Sequence, residues 1–324
     1  MNIDEIEVSP LAAESLGIRS LCTLVRTPDV SVLFDPSAAL ARRYGLEPHP
    51  MEYLALQDSL ERIRAATEEV DIVSISHYHY DHVRPGFTNY LYNFSTQDER
   101  KETLMGKVVY AKDYRENINP SQRRRGFFFQ KDIKSVVKDL QWADGRQFTF
   151  GDTTITYSQP LPHGSVDSAL GYVLTTTIEY NRTRFLFAPD VQGPIDRDTL
   201  SYFLSQEPNL AIVGGPPTYL SRLSKDETQS ALYSLSNLAS VVPTLVVDHH
   251  NMRDSTWNDW IRPVLNVAEE SGNRTMTMAA LAGQANRCFE AERSELYRNK
   301  PPGEEFLTWS RASEEHKVRN MPPL

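Results

Sequence analysis

The chain has 324 residues, of which 40% are hydrophobic and 24% charged, and a net charge of -9 at pH 7. This composition is typical of a globular protein with a large core; it excludes a membrane-spanning protein and one that coats nucleic acid over its whole surface. The two cysteines are too few for a disulfide framework and the acidic first residues do not resemble a secretory signal, so we expect a cytoplasmic protein.

Short strand patterns alternate with helical spacing along the chain. β-branched or alternating runs predict strands over residues 21–26, 30–34, 70–76, 107–111, 147–150, 153–158, 169–176, 183–188, 211–213, 244–247 and 275–280. Apolar residues at helical spacing predict helices over 51–69, 227–239 and 257–268. No linker or repeat interrupts this order. We therefore expect one domain over 1–324, of mixed sheets covered by helices, with a polar, surface-wrapped tail from about residue 301.

A dense group of polar residues follows the strand predicted over 70–76. His77, His79, Asp81 and His82 lie within six residues of one another. Buried together, these side chains would repel one another when protonated, whereas neutral imidazole and carboxylate are preferred ligands of divalent metals. The alternative interpretation is a polar turn after the strand that binds no metal. The density of ligands in a chain with only eight histidines favours a metal site.

Further ligand-type residues follow other predicted strands or lie in tight loops. His163 lies in a Pro-His-Gly loop, Asp190 follows the strand over 183–188, and His249 and His250 follow the strand over 244–247. Each of these side chains alone would be an ordinary loop histidine or turn carboxylate. Strand ends at one edge of a sheet converge, so we expect the separate segments to build one site. The choice between His249 and His250 as ligand stays open.

The ordered pattern resembles that of the metallo-β-lactamase superfamily. That pattern is a strand-terminal Asp, then H-x-H-x-D-H, a later His, a later Asp and a final His. Here it is matched by Asp35, the run 77–82, His163, Asp190 and either His249 or His250. The segments 117–125, 214–220 and 248–250 resemble, more narrowly, a largely archaeal branch. The resemblance implies a four-layer αββα sandwich of two mixed sheets flanked by helices.

The resemblance also implies roles for these residues. It assigns one metal to His77, His79 and His163, a second to Asp81, His82 and the final His, and a bridging role to Asp190. Asp35 would orient a ligand from behind the site. Two divalent ions, zinc by default and iron or manganese as alternatives, would activate a bridging hydroxide; Asp81 and Asp190 are the predicted catalytic carboxylates. Flavin-linked di-iron relatives carry Glu where His79 stands, which disfavours that branch.

A basic and aromatic segment offers a candidate substrate contact. Arg123, Arg124 and Arg125 precede three phenylalanines, and guanidinium groups pair well with phosphate or carboxylate. An exposed helix start with its phenylalanines in the core is the competing interpretation, and nucleic-acid binding through these arginines is open but not favoured. Tyr78 and Tyr80 flank the ligands and are candidate pocket residues.

The sequence therefore predicts a cytoplasmic, metal-dependent hydrolase with a dinuclear site. A phosphate ester or phosphodiester is the leading substrate, because two cations and an arginine cluster suit a small anionic substrate. A thioester or lactone hydrolase, a mononuclear iron dioxygenase of a persulfide-like thiol, and a metal-containing binding protein without turnover remain alternatives.

Overall fold

Two mixed β-sheets form the centre of the molecule. The computed structural model describes residues 1–166 and 168–324, and within these ranges the first sheet has seven strands in chain order. They are β1 (Asn2–Ile3), β2 (Ile6–Pro10), β3 (Thr23–Arg26), β4 (Ser31–Phe34), β5 (Ile72–Ile75), β6 (Val108–Ala111) and β7 (Asp139–Trp142). Strands β1 to β4 pair antiparallel and β4 to β7 pair parallel.

The second sheet repeats this division in the second half of the chain. Its order is β16-β15-β14-β13-β12-β9-β8, and a separate hairpin joins β10 (Leu161–Pro162) to β11 (Tyr172–Val173). The strands are β8 (Gln147–Phe150), β9 (Thr153–Tyr157), β12 (Thr176–Tyr180), β13 (Thr183–Ala188), β14 (Leu210–Gly214), β15 (Thr244–Asp248) and β16 (Arg274–Met276). Strands β13 to β16 pair parallel and the remainder antiparallel.

Most helices cover the outer face of a sheet, whereas the short helix Met278–Leu281 packs with the apolar residues between the sheets. The helices are α1 (Pro50–Glu69), α2 (Gln97–Leu104), α3 (Pro120–Ile133), α4 (Arg197–Ser205), α5 (Lys225–Val241), α6 (Trp257–Glu270), α7 (Met278–Leu281), α8 (Phe289–Asn299), α9 (Glu304–Ser310) and α10 (Glu314–Arg319). Short 3-10 helices span Glu14–Leu16 and His249–Arg253. Within the described residues, no helix is long and apolar enough to cross a membrane.

The apolar core has three layers that follow from the strand patterns. Between the sheets, Phe34 of β4 meets Phe185 and Phe187 of β13, with the Phe34 and Phe187 ring centroids 4.7 Å apart. Residues at the alternate positions of the same strands point outward to the helices, as Leu33 and Leu186 do. Burial on both faces explains why these strands are almost continuously apolar. The predicted four-layer αββα sandwich is confirmed.

Two predicted strands have different bounds in the structure. The run over 169–176 is broken into β11 and the start of β12, so the segment contributes to two strands with different partners rather than to one strand. The run over 275–280 ends as a strand at Met276, because the Thr277 hydroxyl accepts a hydrogen bond from the Ala280 amide and begins α7. The basic segment beginning at Ser121 lies in α3.

The C-terminal tail is folded onto the first helical layer. Phe306 and Trp309 of α9 are buried and pack around Tyr53 of α1, with ring centroids 6.0 and 5.7 Å from the tyrosine ring. Lys317 of α10 forms a buried ion pair with Glu47 at 2.6 Å. These contacts give the polar tail two helices and an apolar anchor that its composition did not predict.

Candidate metal centre

The candidate ligands follow strands whose carboxyl ends lie at one edge of the sandwich. Asp35 follows β4, the run 77–82 follows β5, His163 follows β10, Asp190 follows β13, and His249 follows β15. Three of these residues have left-handed backbone conformations, with φ of 47° at Asp35, 52° at Asp190 and 75° at His249. Such conformations are costly for residues other than glycine and cluster at functional sites. The fold therefore brings together the residues that the sequence pattern selects.

Asp190 is the centre of this convergence. Nitrogens of four histidines lie 2.9–3.6 Å from its Oδ2 atom: His77, His79, His82 and His163. Nε2 atoms of His249 and His250 lie 2.6 and 3.6 Å from its Oδ1 atom. Oδ1 is buried and accepts no hydrogen bond within the described residues. A carboxylate offers about four lone-pair sites, so hydrogen bonds alone do not account for six imidazoles around it.

The ligand-type atoms fall into two principal groups that meet at Asp190. The first contains His77, His79, His163 and Asp190, with ligand atoms within 4.8 Å of one another. His77 Nε2 lies 2.9 Å from His79 Nδ1, and His163 Nε2 lies 3.0 Å from Asp190 Oδ2. All four side chains are largely buried, His79 being the most exposed at 24%.

The second group contains Asp81, His82 and His249, again with ligand atoms within 4.8 Å of one another. His249 Nε2 lies 3.2 Å from His82 Nε2 and 3.9 Å from Asp81 Oδ2. Both histidines are fully buried, whereas Asp81 reaches the cleft with 16% of its side chain exposed. The group therefore lies beside the first one, with His82 Nε2 3.3 Å from Asp190 Oδ2 and His249 Nε2 2.6 Å from Asp190 Oδ1.

His250 occupies a different position from its neighbour. It shares a group with Asp190 and His249 but not with Asp81 or His82. Its ring lines the cleft, and its buried Nδ1 atom has no hydrogen-bond partner within the described residues. The ring centroids of His249 and His250 lie 4.2 Å apart, but His249 Nδ1 contacts Glu14 behind the site, whereas His250 lines the cleft.

Asp35 orients two of the histidines from behind. It accepts hydrogen bonds from His82 Nδ1 at 2.8 Å and from the Ser76 hydroxyl at 2.6 Å. Because the Ser76 proton is used on Asp35, Ser76 accepts from His77 Nδ1, 2.9 Å away. Both imidazoles therefore carry a proton on Nδ1 and face the centre with Nε2. Ser76 was not selected from the sequence; its position directly before His77 was the available signal.

Three further residues that support the histidines were missed in the sequence. Glu14 accepts a hydrogen bond from His249 Nδ1 at 2.8 Å, and its other oxygen accepts from Arg253 Nε at 2.6 Å. Gln192 places its side-chain amide 3.3 Å from His163 Nδ1. Glu14 lies 235 residues from His249, so no local pattern indicates the contact. Arg253 and Gln192 are close in sequence to proposed ligands, but they follow no recognisable spacing.

The charges of the cluster are strongly perturbed. Burial lowers the pKa of His77 well below its usual value, as it does for His250. Burial opposes ionisation of His249 too, but the Glu14 and Asp190 carboxylates outweigh it and raise the pKa of His249 to about 9. Burial would likewise raise the pKa of Asp190, but the imidazoles around it hold that pKa well below the usual range. A buried carboxylate thus stays ionised at the centre.

The donor set fits divalent cations. His77, His82 and His249 donate from Nδ1 to oxygen acceptors, so Nε2 is the atom that each ring offers toward the Asp190 carboxylate, for a proton or for a cation. Lone pairs opposed to a carboxylate at 2.6–3.3 Å repel unless protons or cations lie between them. Nitrogen and oxygen ligands with carboxylate or hydroxyl partners behind them are typical of zinc, iron and manganese sites.

A cleft of about 290 Å³ opens onto the two groups. Arg125 and Tyr80 line it, with the Arg125 guanidinium 4.2 Å from the centre of the Tyr80 ring. Arg123 and Arg124 are exposed on α3 and do not line the cleft. Tyr78 is fully buried, and its hydroxyl donates to the Lys112 carbonyl. Of the expected substrate contacts, Arg123, Arg124 and Tyr78 therefore do not line this cleft: one helical turn directs adjacent side chains differently, and Tyr78 enters the core.

Other arginines enter the cleft from distant segments. Arg19, Arg222 and Arg253 line it together with Arg125. Arg19 is paired with Glu290 at 2.6 Å, and Arg253 is paired with Glu14. Arg125 and Arg222 form no ion pair with a carboxylate of the described residues. The cleft therefore carries net positive charge at its mouth in addition to the ligand groups.

The fold and the arrangement of the histidines are similar to those of the metallo-β-lactamase superfamily. The sequence model of the metallo-β-lactamase superfamily matches residues 17–84, which include the run 77–82. Among solved structures, the chain is similar to CmlA, a diiron beta-hydroxylase from Streptomyces venezuelae, with a TM-score of 0.50 and 12% identity. The match covers 85% of this chain and 53% of CmlA, so the chain spans about half the length of that protein and the likeness concerns the fold alone.

The chain belongs to the UPF0282 family. It is 40% identical over 294 residues to a UPF0282 protein of Methanopyrus kandleri, which covers 90% of this chain and 99% of that relative. It is 38% identical over 305 residues to a UPF0282 protein of Methanocaldococcus jannaschii, which covers 93% and 100%. The predicted superfamily and the predicted archaeal relatives are thus confirmed.

Proposed function

We propose that the protein is a metal-dependent hydrolase that uses two divalent cations, zinc by default, to cleave a phosphate ester or phosphodiester. The observation that carries the proposal is that Asp190 contacts histidines of both groups: its Oδ2 lies 2.9 Å from His77 and 3.3 Å from His82, and its Oδ1 lies 2.6 Å from His249. A single-cation site has no need for the second group. Family membership supports the class of chemistry, and the positive mouth of the cleft supports an anionic substrate.

The proposed ligands follow from the two groups. His77, His79 and His163 would hold the first cation, and Asp81, His82 and His249 would hold the second; Asp190 contacts histidines of both groups and would serve both. His249 is the preferred final ligand because its Nε2 lies near His82 and Asp190 while its Nδ1 donates to Glu14. His250 lacks a partner behind it and faces the cleft, so we assign it to substrate contact.

Two bound cations would lower the pKa of water and stabilise the charge that develops on the oxygens of the group under attack. The residues of the chain orient the reactants. Asp81 reaches the cleft from the second group and is placed to accept a hydrogen bond from the attacking water. Asp35 and Ser76 keep His77 and His82 in the required tautomer, which avoids reorganisation during the reaction.

The anionic part of the substrate is assigned to the arginines without carboxylate partners. Arg125 approaches from α3 and Arg222 from the loop after β14, so the two groups reach the same cleft from different layers of the sandwich. Guanidinium groups bind phosphate oxygens through paired, charge-assisted hydrogen bonds. Thioester or lactone hydrolysis would use the same cations but would leave these two charges without a role.

The first experiment is elemental analysis of the purified protein, followed by assays with bis(p-nitrophenyl) phosphate, p-nitrophenyl phosphate and a thioester panel. We expect two equivalents of zinc or manganese and cleavage of a phosphate ester. One equivalent of iron would replace the hydrolase with an iron oxygenase. Two cations with turnover confined to thioesters or lactones would overturn the substrate class but keep the metal site. A protein that binds no cation after reconstitution would overturn the proposal entirely.

A further inference from the structure

A buried pair of opposite charges connects the second ligand group to the beginning of the chain. Glu14 lies in the 3-10 helix Glu14–Leu16 and is 4% exposed. It receives hydrogen bonds from His249 Nδ1 at 2.8 Å and from Arg253 Nε at 2.6 Å. The pair is therefore in direct contact with one proposed ligand of the second cation.

The guanidinium of the same pair reaches another ligand of that group. Arg253 Nη2 lies 3.4 Å from Asp81 Oδ2 and is the hydrogen-bond donor to this carboxylate among the described residues. Arg253 is itself fixed, because Arg43 donates to its carbonyl and is held in turn by Glu290. Within the described residues, neither Glu14 nor Arg253 forms a hydrogen bond or ion pair with His77, His79 or His163.

We propose that Glu14 and Arg253 are positioning residues that determine how tightly the second cation binds, while the first cation is held independently of them. The inference rests on the proposed two-cation function. Glu14 fixes the His249 tautomer so that Nε2 faces the centre, and a carboxylate partner increases the basicity of a ligating imidazole. Glu14 also neutralises Arg253, whose positive charge beside Asp81 would otherwise repel a cation.

The substitution Glu14→Gln tests this role directly. The Gln oxygen accepts the hydrogen bond from His249, so the ring orientation is kept while the negative charge is lost. We expect the second equivalent of Zn²⁺ to bind about 10–100-fold more weakly and the first to bind as in the unmodified protein. Isothermal titration of the metal-free chain with Zn²⁺, and visible spectra during titration with Co²⁺, measure the two steps separately without reference to turnover.

Arg253→Lys is a second, independent test. Lysine keeps a positive charge but removes the fork that joins Glu14 to Asp81, so we again expect selective weakening of the second step. If Glu14→Gln does not fold, Arg253→Lys still tests the positioning role. The matched control is Glu52→Gln: Glu52 forms a fully buried ion pair with Arg293 at 2.7 Å and touches none of the proposed ligands. It should lower the melting temperature and leave both binding steps unchanged.

The outcomes separate this inference from the proposed function. Selective weakening of the second step in Glu14→Gln and Arg253→Lys supports it. Two unchanged steps, or equal weakening of both steps, would overturn the positioning role while leaving the two-cation hydrolase in place. An unmodified protein that binds a single cation would overturn both. Weakening of the second step in Glu52→Gln would attribute the effect to general destabilisation and overturn the inference.

Discussion

The two halves of the sandwich contribute to the centre in different ways. The first sheet supplies Asp35 and the compact run 77–82 from the ends of the adjacent parallel strands β4 and β5. The second sheet supplies Asp190 and His249 from the ends of β13 and β15, which are separated by β14 and by two helices in sequence. The run 77–82 is a local sequence motif, whereas Asp190 and His249 come together only because the parallel strands β13 and β15 end at the same edge of the sheet.

This difference teaches how much each half of the site depends on the fold. In the first half, spacing within one turn already places several ligands together, and Asp35 with Ser76 fixes their tautomers. In the second half, each ligand stands alone in sequence, and its position depends on strand register and on a supporting contact such as Glu14 to His249. Substitutions in the two halves should therefore distinguish the loss of a metal ligand from the loss of a residue that supports a ligand.

The largest effect is expected for Asp190→Ala, in the second half. The substitution removes the carboxylate around which six imidazoles converge, so we expect loss of at least one cation and a fall in kcat of more than about 100-fold. Elemental analysis and steady-state assays measure both. Asp196→Ala, which removes the N-terminal cap of α4 a few residues later, is the control and should cost on the order of 1 kcal/mol of stability with both cations retained. Full activity in Asp190→Ala would contradict the two-cation site.

The adjacent histidines offer the sharpest test within the second half. His249→Ala should remove the second cation, because His249 Nε2 lies 2.6 Å from Asp190 and 3.2 Å from His82. His250→Ala should retain two cations and lower turnover, because His250 faces the cleft. Metal content of the two variants is the measurement. The opposite pattern would exchange the roles assigned to the two residues.

A smaller effect is expected for Asp35→Asn, in the first half. An asparagine oxygen accepts only part of the hydrogen bonding from His82 and Ser76, so the tautomers of His77 and His82 become less well fixed. We expect metal affinity to fall about 10–100-fold with both binding steps affected, since one histidine lies in each group. Titration with Zn²⁺ measures this. An effect on one step alone would show that Asp35 supports only one ligand.

The smallest effect is expected in the cleft. Arg125→Ala should raise KM for an anionic substrate about tenfold with little change in kcat, because a hydrogen bond from a charged group contributes roughly 1.5–3 kcal/mol. Arg124→Ala, on the same helix but exposed outside the cleft, is the matched control and should leave KM unchanged. Equal effects of the two substitutions would point to a general influence of positive charge on α3 rather than to contact with substrate.

Local sequence patterns predicted the fold best in strands that are buried on both faces. The runs over 183–188 and 244–247 lie in buried parallel strands, and their lengths nearly match β13 and β15. The run over 169–176 failed because its residues pair with three different strands, β10, β9 and β13, and pairing is a long-range property. The helices of the tail were missed because their apolar anchors, Phe306 and Trp309, are few within a polar segment.

The sequence by itself determined the types and order of the candidate ligands, because metal chemistry restricts them to a few side chains and the strand pattern places them at strand ends. Only the tertiary structure decided the arrangement around Asp190, the different positions of His249 and His250, and the entry of Arg125 rather than Arg123 or Arg124 into the cleft. The physical reason is that these properties depend on register, strained backbone angles and contacts such as Glu14 with His249 across 235 residues, none of which a local pattern records.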